Sequence, residues 1–267
     1  MSIMLAIETS NPSSATGGGG AGVARDGTSA LRGPGIALGR RTSGSLDVFA
    51  VHEIDPARPH DDQIMPLIDR AFREHGLRPR DLGSVGVSIG PGGFTSVRIA
   101  IVTAKMLAEA TGARCLGVPT AMVAARARMR KAGGEAEPSG NFAVALASKR
   151  ETAWLSVFGP DGTVIEAGVL ADAAKVKDVF DRHSVRELLA DRFLPESMAR
   201  AATTGGAIVA PIQLDPVSCL HAMSGDVLAV EPLELLPMYP REAEAVTKWR
   251  ELHPPPDTSS ASAPPGR

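Results

Sequence analysis

The sequence predicts an α/β protein built on a mixed sheet. Two observations carry this. Short apolar runs bounded by turn formers alternate with helix-period segments, and an order of three strands, helix, strand, helix, strand in the first half begins again, more faintly, beyond residue 141. The 267 residues are 43% apolar, 22% charged and only 4% aromatic, enough for one large domain or two ordinary ones, each with a real core.

Residues 3–8 (IMLAIE) form an apolar run that ends in Thr9, Ser10, Asn11 and Pro12, a strand entering a turn. A second strand is expected at 21–26, entered from Gly17 to Gly20. Residues 32–45 are rich in Gly, Arg and Ser without sustained periodicity and read as a mobile loop. A third strand follows near 46–53. Over 61–75, Ile64, Leu67, Ile68, Ala71 and Phe72 recur at helix spacing among polar residues, with Pro66 tolerable in the first turns and Gly76 closing the end. Residues 83–90 read as a strand. Residues 95–111 read as a long helix, capped by Thr95 or Ser96 and stopped by Gly112. A strand at 113–118 and a helix at 119–131 complete this half.

The turn formers of 133–141 separate the halves. Beyond them, 142–147, 153–158 and 163–169 read as strands and 175–191 as one or two helices, after which the pattern fades past Arg192. The tail 254–267 has too little apolar surface to order itself and is expected to be disordered. The expected organisation is therefore a lobe at 1–132, a divergent lobe at 133–253 and the tail.

Charge and cysteine usage exclude several function classes. Lys and Arg total 28 against 30 Asp and Glu, giving a net charge of −2, and no five like charges run together. A dedicated nucleic-acid binder would carry a basic surface, so RNA contact is expected to be local or borrowed from a partner. Cys115 and Cys219 stand far apart in sequence, outside any Cys-x-x-Cys pair or secreted framework. The opening MSIMLAIETS lacks a basic segment, and no run approaches the eighteen or so apolar residues of a membrane span. A soluble cytoplasmic protein is the expectation.

Two motifs match enzyme fingerprints literally and fail in context. Gly17-x-Gly19-x-x-Gly22 leads into VARDG, a strand, whereas a dinucleotide loop must open a helix. Gly86-x-Ser88-x-Gly90 resembles the nucleophile elbow of serine hydrolases, the strongest rival signal. Yet Pro91, Gly92 and Gly93 stand between Ser88 and the helix, which leaves the serine inside the strand. Asp191, Asp215, His183 and His221 have no recognisable triad setting. His52, His60, His75, His183, His221 and His253 include no i, i+4 pair, and Cys219-x-His221 is half a site, so no metal is expected.

The segment Gly90-Pro91-Gly92-Gly93-Phe94-Thr95 carries more. A glycine-rich turn at a helix N-terminus can present free N–H groups to an anion, so Gly90, Gly92, Gly93 and Thr95 are candidate anion-binding residues; the same glycines also suit a plain tight turn. In the helix that follows, Arg98, Lys105 and Glu109 share a polar stripe. The apolar residues from Val97 to Ala110 spread over half the circumference or more, beyond the stripe of about 100° that packs on one sheet. Ala100, Ala104 and Ala108 form a low ridge that suits either close approach of another helix or burial in the same chain.

Residues 83–124, GSVGVSIGPGGFTSVRIAIVTAKMLAEATGARCLGVPTAMVA, resemble the signature of the bacterial TsaB (YeaZ) family, approximately strand, G-P-G-S-F-T-G-x-R-x-G, A-K-x-L-A and G-V-x-x-L. LAIETS at 5–10, the helix carrying His60, Pro66, Leu67 and Ile68, and Met238-Tyr239-Pro240-Arg241 with Glu242 and Ala243 are similar to three further family segments. The resemblance implies an actin/Hsp70-like (ribonuclease-H-like) fold of two lobes, the second degraded. It also implies a non-catalytic part in making N6-threonylcarbamoyladenosine beside the tRNA anticodon. The implied partners are homologues of the metalloenzyme TsaD and the ATPase TsaE, with a homodimer when alone, tRNA contacted indirectly and no membrane.

In that family two central helices bundle with the partner or a second copy. The resemblance thus puts Ile64, Leu67, Ile68, Ala71, Val97, Ala100, Ile101, Ala104, Leu107 and Ala108 at the interface. It implies no catalytic residue and no cofactor, ATP or ADP entering only at the interface with the partner. Thr120 and Ala124 align with the two metal-binding histidines of the related catalytic family. Departures are Gly93 and Ser96 where the family has Ser and Gly, Glu8 for Asp, Ala147 for an acid and Trp154 for Tyr, while Gly17–Gly20 and 32–45 look like insertions. The alternative from another class is a hydrolase, through Ser88 or through the peptidase activity once attached to the superfamily.

Overall fold

A computed structural model describes residues 2–10, 33–42, 45–55, 63–132, 140–225, 227–241 and 244–253. The first sheet is built from β1 (Ile3–Glu8), β2 (Gly35–Thr42), β3 (Ser45–Glu53), β4 (Leu82–Gly90) and β5 (Arg114–Pro119). Helices α1 (Ile64–Glu74), α2 (Phe94–Thr111) and α3 (Thr120–Ala132) connect and follow these strands. The second sheet comprises β6 (Asn141–Ala147), β7 (Ala153–Phe158), β8 (Val164–Ala171), β9 (Val185–Ala190) and β10 (Ile208–Pro211). Its helices are α4 (Ala173–His183), α5 (Glu196–Thr204) and α6 (Pro216–Met223). A short β11 (Ala229–Val230) and α7 (Glu244–Leu252) complete the described chain.

The two sheets repeat one topology. The first runs β11-β5-β4-β1-β2-β3 and the second β10-β9-β6-β7-β8. In each, a strand (β1 or β6) pairs antiparallel with the next and parallel with the fourth, which pairs parallel with the fifth. The second repeat is complete in connectivity, but its fifth strand β10 (Ile208–Pro211) and the helix α5 (Glu196–Thr204) before it are shorter than β5 and α2 in the first.

Strand alternation sorts the side chains into layers. Ile3, Leu5 and Ile7 of β1 pack with α1 and α2, while Met4 and Ala6 point to the opposite face. There they meet α3 and α6 together with Phe142, Val144 and Leu146 of β6, so these two helices lie between the sheets. Ala143 and Ala145 face outward onto α4 and α5. Both faces of each sheet are covered, which explains why β1 and β6 read as unbroken apolar runs.

Several expectations are corrected. Residues 32–45, expected as a mobile loop and an insertion, contain β2, the strand between β1 and β3, with Ile36, Ala37 and Leu38 fully buried. Its glycines serve close packing. A Cβ on Gly35 would stand 2.2 Å from the His52 carbonyl oxygen, and one on Gly39 would stand 2.6 Å from Leu220 of α6. The stretch 175–191 is a helix followed by a strand. Ser184, at φ +51, turns the chain out of α4 into β9. Beyond Arg192 the pattern continues as α5, β10 and α6.

The strand expected at 21–26, the run Gly17–Gly20 and the tail 254–267 lie outside the described residues. Helix α6 and β11, placed by sequence in the second lobe, lie against the first sheet, α6 on β1 and β2 and β11 antiparallel to β5. Among the described residues no helix is long and apolar enough to cross a membrane.

Candidate functional site

Glu8 ends β1, Ser88 to Gly90 end β4, and Thr120 follows the last residue of β5. Three adjacent parallel strands thus deliver their polar residues to one edge, the place where open α/β sheets bind ligands. Here that edge is packed shut. Glu8, Ser10, Ser88 and Thr120 are all buried. One carboxylate oxygen of Glu8, Oε1, accepts hydrogen bonds from the Ser10 amide at 2.7 Å and the Ser10 hydroxyl at 2.5 Å. The other, Oε2, is buried with no hydrogen-bond partner. Burial pushes the Glu8 carboxyl up to about 7, opposed by Ser10 and the nearby Ser88 hydroxyl and reinforced by the charge of Asp215.

Ser88 Oγ and Thr120 Oγ1 share a hydrogen bond of 2.9 Å. The serine of the elbow-like motif is therefore inside the strand and sealed from solvent, and among the described residues no histidine is bonded to it. Asp215 caps α6, accepting from the Ser218 amide at 2.8 Å, and pairs with Arg130 at 3.1 Å. Cys219 lies on the same buried flank, its thiol raised well above the usual range by burial first and then by Glu8 and Asp215. Among the described residues no three His, Cys, Asp or Glu side chains gather in a way that could hold a metal ion.

The glycine turn leans on the end of β1. The Gly93 amide donates to the Ser10 carbonyl at 2.5 Å, and a Cβ on Gly92 would stand 2.0 Å from that same oxygen. Gly90, at φ +102, has the Met238 carbonyl oxygen 3.0 Å from where a Cβ would sit. Of the expected anion-binding residues, Gly93 has its N–H committed within the chain, Gly90 is covered, and Gly92 and Thr95 are exposed. Gly93, not Thr95 or Ser96, is the N-cap of α2 and supplies no side-chain cap.

The expected interface residues also sit elsewhere than sequence placed them. Ile64, Ile68, Ala71, Val97, Ala100, Ile101, Ala104 and Ala108 are buried in the core beneath α1 and α2, and Leu67 and Leu107 are partly buried against it. The alanines face the sheet, where small side chains let α2 lie close. The outward ridge of α2 is Phe94, Arg98, Val102 and Met106, spaced by four. Phe94 is 59%, Val102 53% and Met106 67% exposed, and Met65 on α1 is 49% exposed.

A strap from the C-terminal region borders this ridge. Leu235 is buried against Gly117, while Leu233, Leu236 and Tyr239 are exposed. Lys105 Nζ holds the Leu233 carbonyl at 3.1 Å, and the Met238 amide donates to Ile89 at 2.7 Å. The Arg98 guanidinium lies 3.7 Å over the Phe94 ring and donates through Nε to the Tyr239 hydroxyl at 2.5 Å. Sequence reasoning missed this ridge, although its signal was present: a helix with apolar residues on two sides must leave one side outward.

Residues 54–213, more than half of the chain, match the family model described as TsaD, tRNA N6-adenosine threonylcarbamoyltransferase. The chain belongs to that family. Among curated relatives, a tRNA N6-adenosine threonylcarbamoyltransferase of Anaeromyxobacter dehalogenans (strain 2CP-C) is 35% identical over 121 residues, 44% of this chain and 33% of the relative. The tRNA threonylcarbamoyladenosine biosynthesis protein TsaB of Escherichia coli K12 is 35% identical over 86 residues, 32% of this chain and 37% of TsaB. The matches thus span about a third of these relatives' length. Among solved structures, one described as an uncharacterized protein with similarity to peptidase YEAZ from Pseudomonas aeruginosa aligns with a TM-score of 0.62 at 20% identity, covering 90% of this chain and all of that one. A second, YeaZ from Pseudomonas aeruginosa, aligns with a TM-score of 0.57 over the same shares, also at 20% identity. The kinship with TsaB (YeaZ) read from residues 83–124 is borne out, and with it the actin-like two-sheet α/β fold.

Proposed function

We propose that this chain is a TsaB-like subunit of the machinery that makes N6-threonylcarbamoyladenosine in tRNA, pairing with a TsaD homologue and donating no catalytic group. The observation that carries the reading is the exposed α2 ridge of Phe94, Arg98, Val102 and Met106 beside Met65 of α1, a helix-pair face with large apolar side chains turned to solvent. It is enriched in the residue types that dominate protein interfaces, two aromatics and an arginine at one end. The TsaE homologue joins the same assembly, and a second copy of the chain occupies the ridge when the partner is missing. Contact with tRNA runs mainly through the partner, consistent with a net charge of −2.

The non-catalytic role is supported by what stands at the reacting positions. Thr120 and Ala124 carry no imidazole where the related catalytic family binds its metal, and both are buried. Ser88 is sealed and bonded to Thr120, so a hydrolytic role through Ser88 lacks an accessible hydroxyl. Binding energy at the ridge would then act by holding the partner in a competent arrangement. A nucleotide, where one is used, would sit at the junction with the partner.

The deciding experiment is co-purification of the tagged chain with the TsaD homologue, followed by mass spectrometry of tRNA nucleosides in cells carrying Val102→Glu or Met106→Glu. The expected result is recovery of the partner with the wild type, loss of recovery with either variant, and a fall in modified nucleoside. Full modification in cells lacking this chain would remove the assigned role.

A further inference from the structure

The strap that borders the α2 ridge does not stop at the first sheet. From Met238, hydrogen-bonded to Ile89 at the end of β4, it passes Tyr239, held by Arg98, and reaches the second sheet two residues later. There Arg241 Nη2 donates to Thr152 Oγ1 at 2.7 Å. Thr152 ends the turn between β6 and β7, and its hydroxyl also donates to the Lys149 carbonyl at 2.8 Å, so one side-chain oxygen serves both the turn and the strap.

That turn is held against its own preference. Arg150 and Glu151, successive residues with side chains, both lie in the left-handed region at φ 60 and 54. Such a conformation is disfavoured for a residue with a side chain and persists where the surroundings over-determine it. The surroundings here are the Ser148 amide on the Thr152 carbonyl, Ser197 on Glu151 at 3.0 Å, and Arg241 on Thr152. Of these three, only Arg241 comes from the part of the chain anchored to the first sheet.

We propose that residues 238–241 form a clasp that ties the exposed end of α2 to the β6–β7 turn of the second sheet, with Arg241 on Thr152 as its latch. Tyr239 belongs to the clasp and to the exposed face at once. A partner that grips Phe94, Arg98 and Tyr239 therefore gains a mechanical hold on the second sheet, at most about 7 Å of extended chain away. In that consequence the clasp rests on the reading of the ridge as a partner face; the clasp itself does not.

The test is hydrogen exchange by mass spectrometry on the full chain without any partner, comparing wild type with Arg241→Gln, Thr152→Val and Tyr239→Ala. Each variant is expected to speed exchange at 148–152 about tenfold or more, the change that loss of a hydrogen bond to a charged group brings to a local opening equilibrium. Exchange in β9 (Val185–Ala190) should stay as in the wild type, which separates a released turn from an unfolded lobe. Arg241→Lys, which keeps a cationic donor, should move the turn less than Arg241→Gln. Unchanged exchange at 148–152 in both Arg241→Gln and Thr152→Val would overturn the latch. A response to Arg241→Gln with none to Tyr239→Ala would overturn the clasp by reducing it to a local contact. Because no partner is present, failure here leaves the partner-face reading standing, and partner binding retained in both Val102→Glu and Met106→Glu with the exchange result intact would do the reverse.

Discussion

The carbonyl of Ser10 accepts the amide of Gly93 at 2.5 Å, and through it the end of β1 holds the start of α2. Ser10 also donates both its amide and its hydroxyl to Glu8, so one residue connects the buried carboxyl to the helix that carries the exposed ridge. The glycine-rich turn is thereby a structural joint before it is anything else. A side chain at Gly92 would occupy the space of the Ser10 carbonyl, which explains why the turn is built of glycine at that position.

Gly92→Ala is expected to destabilise the fold by about 1–3 kcal/mol, the usual cost of forcing an atom into packed surroundings. The 2.0 Å approach to a backbone oxygen leaves no flexible neighbour to yield. Gly205→Ala is the control, since its φ is −77 and its nearest contacts are 3.4 and 3.6 Å, and it should change stability by no more than about 0.5 kcal/mol. Urea denaturation of both variants checks the pair.

Glu8 should give stability a specific dependence on pH. Its carboxyl is raised in the fold from an ordinary 4.5 to about 7, so between these values the folded chain binds the extra proton. Its contribution is full below about pH 4.5 and is lost as pH rises through 7, by on the order of 3 kcal/mol at most. His52 and His221, lowered chiefly by burial, work in the opposite sense, their contribution growing as pH rises through the ordinary histidine range. The difference between wild type and Glu8→Gln therefore isolates the carboxyl. From pH 5 to pH 8 the unfolding free energy of Glu8→Gln should fall less, or rise more, than that of wild type, and an unchanged difference between the two pH values would refute the assignment.

Two substitutions on one helix should separate core from surface. Ala104 is fully buried beneath α2, so Ala104→Glu should cost several kcal/mol of folding stability through an unpaired buried charge. Met106 lies two residues away and is mostly exposed, so Met106→Glu should leave the melting temperature close to wild type while weakening self-association. Thermal melts and sedimentation velocity read the two effects. A lowered melting temperature in Met106→Glu would place that side chain in the core.

Ser88→Ala should lower stability by about 1–3 kcal/mol, because the Thr120 hydroxyl would be left buried without its partner. The double variant Ser88→Ala with Thr120→Val should recover part of that loss. A fluorophosphonate probe should label neither wild type nor variant at this position, and labelling that depends on Ser88 would show that the strand end opens to solvent.

Much of the fold was written locally. The apolar run of β1, the spacing of Ile64, Ile68, Ala71 and Phe72 in α1, the glycine after α2 and the contiguous motif of 83–124 fix their elements because each signal lies within a few residues of its cause. Gly112 in the left-handed region ends α2 where a residue without a Cβ was expected to. The candidate site was legible only in part, since residue types at the ends of β1, β4 and β5 could be named from sequence but their burial could not.

What tertiary structure alone decided has a common physical reason: the deciding contact lies far away in the chain. Strand β2 looks like a loop because its glycines answer to Leu220 and His52, residues that sequence order does not bring near. Helix α2 has apolar residues on two sides, and periodicity treats the alanine ridge and the Phe94 to Met106 ridge alike. Packing chose the alanines for the sheet, because small side chains let the helix approach it, and the larger ones were left outward. The carboxyl of Glu8 was visible as a residue from the start, but only the layers closing over it turned an ordinary acid into one that holds its proton near neutrality.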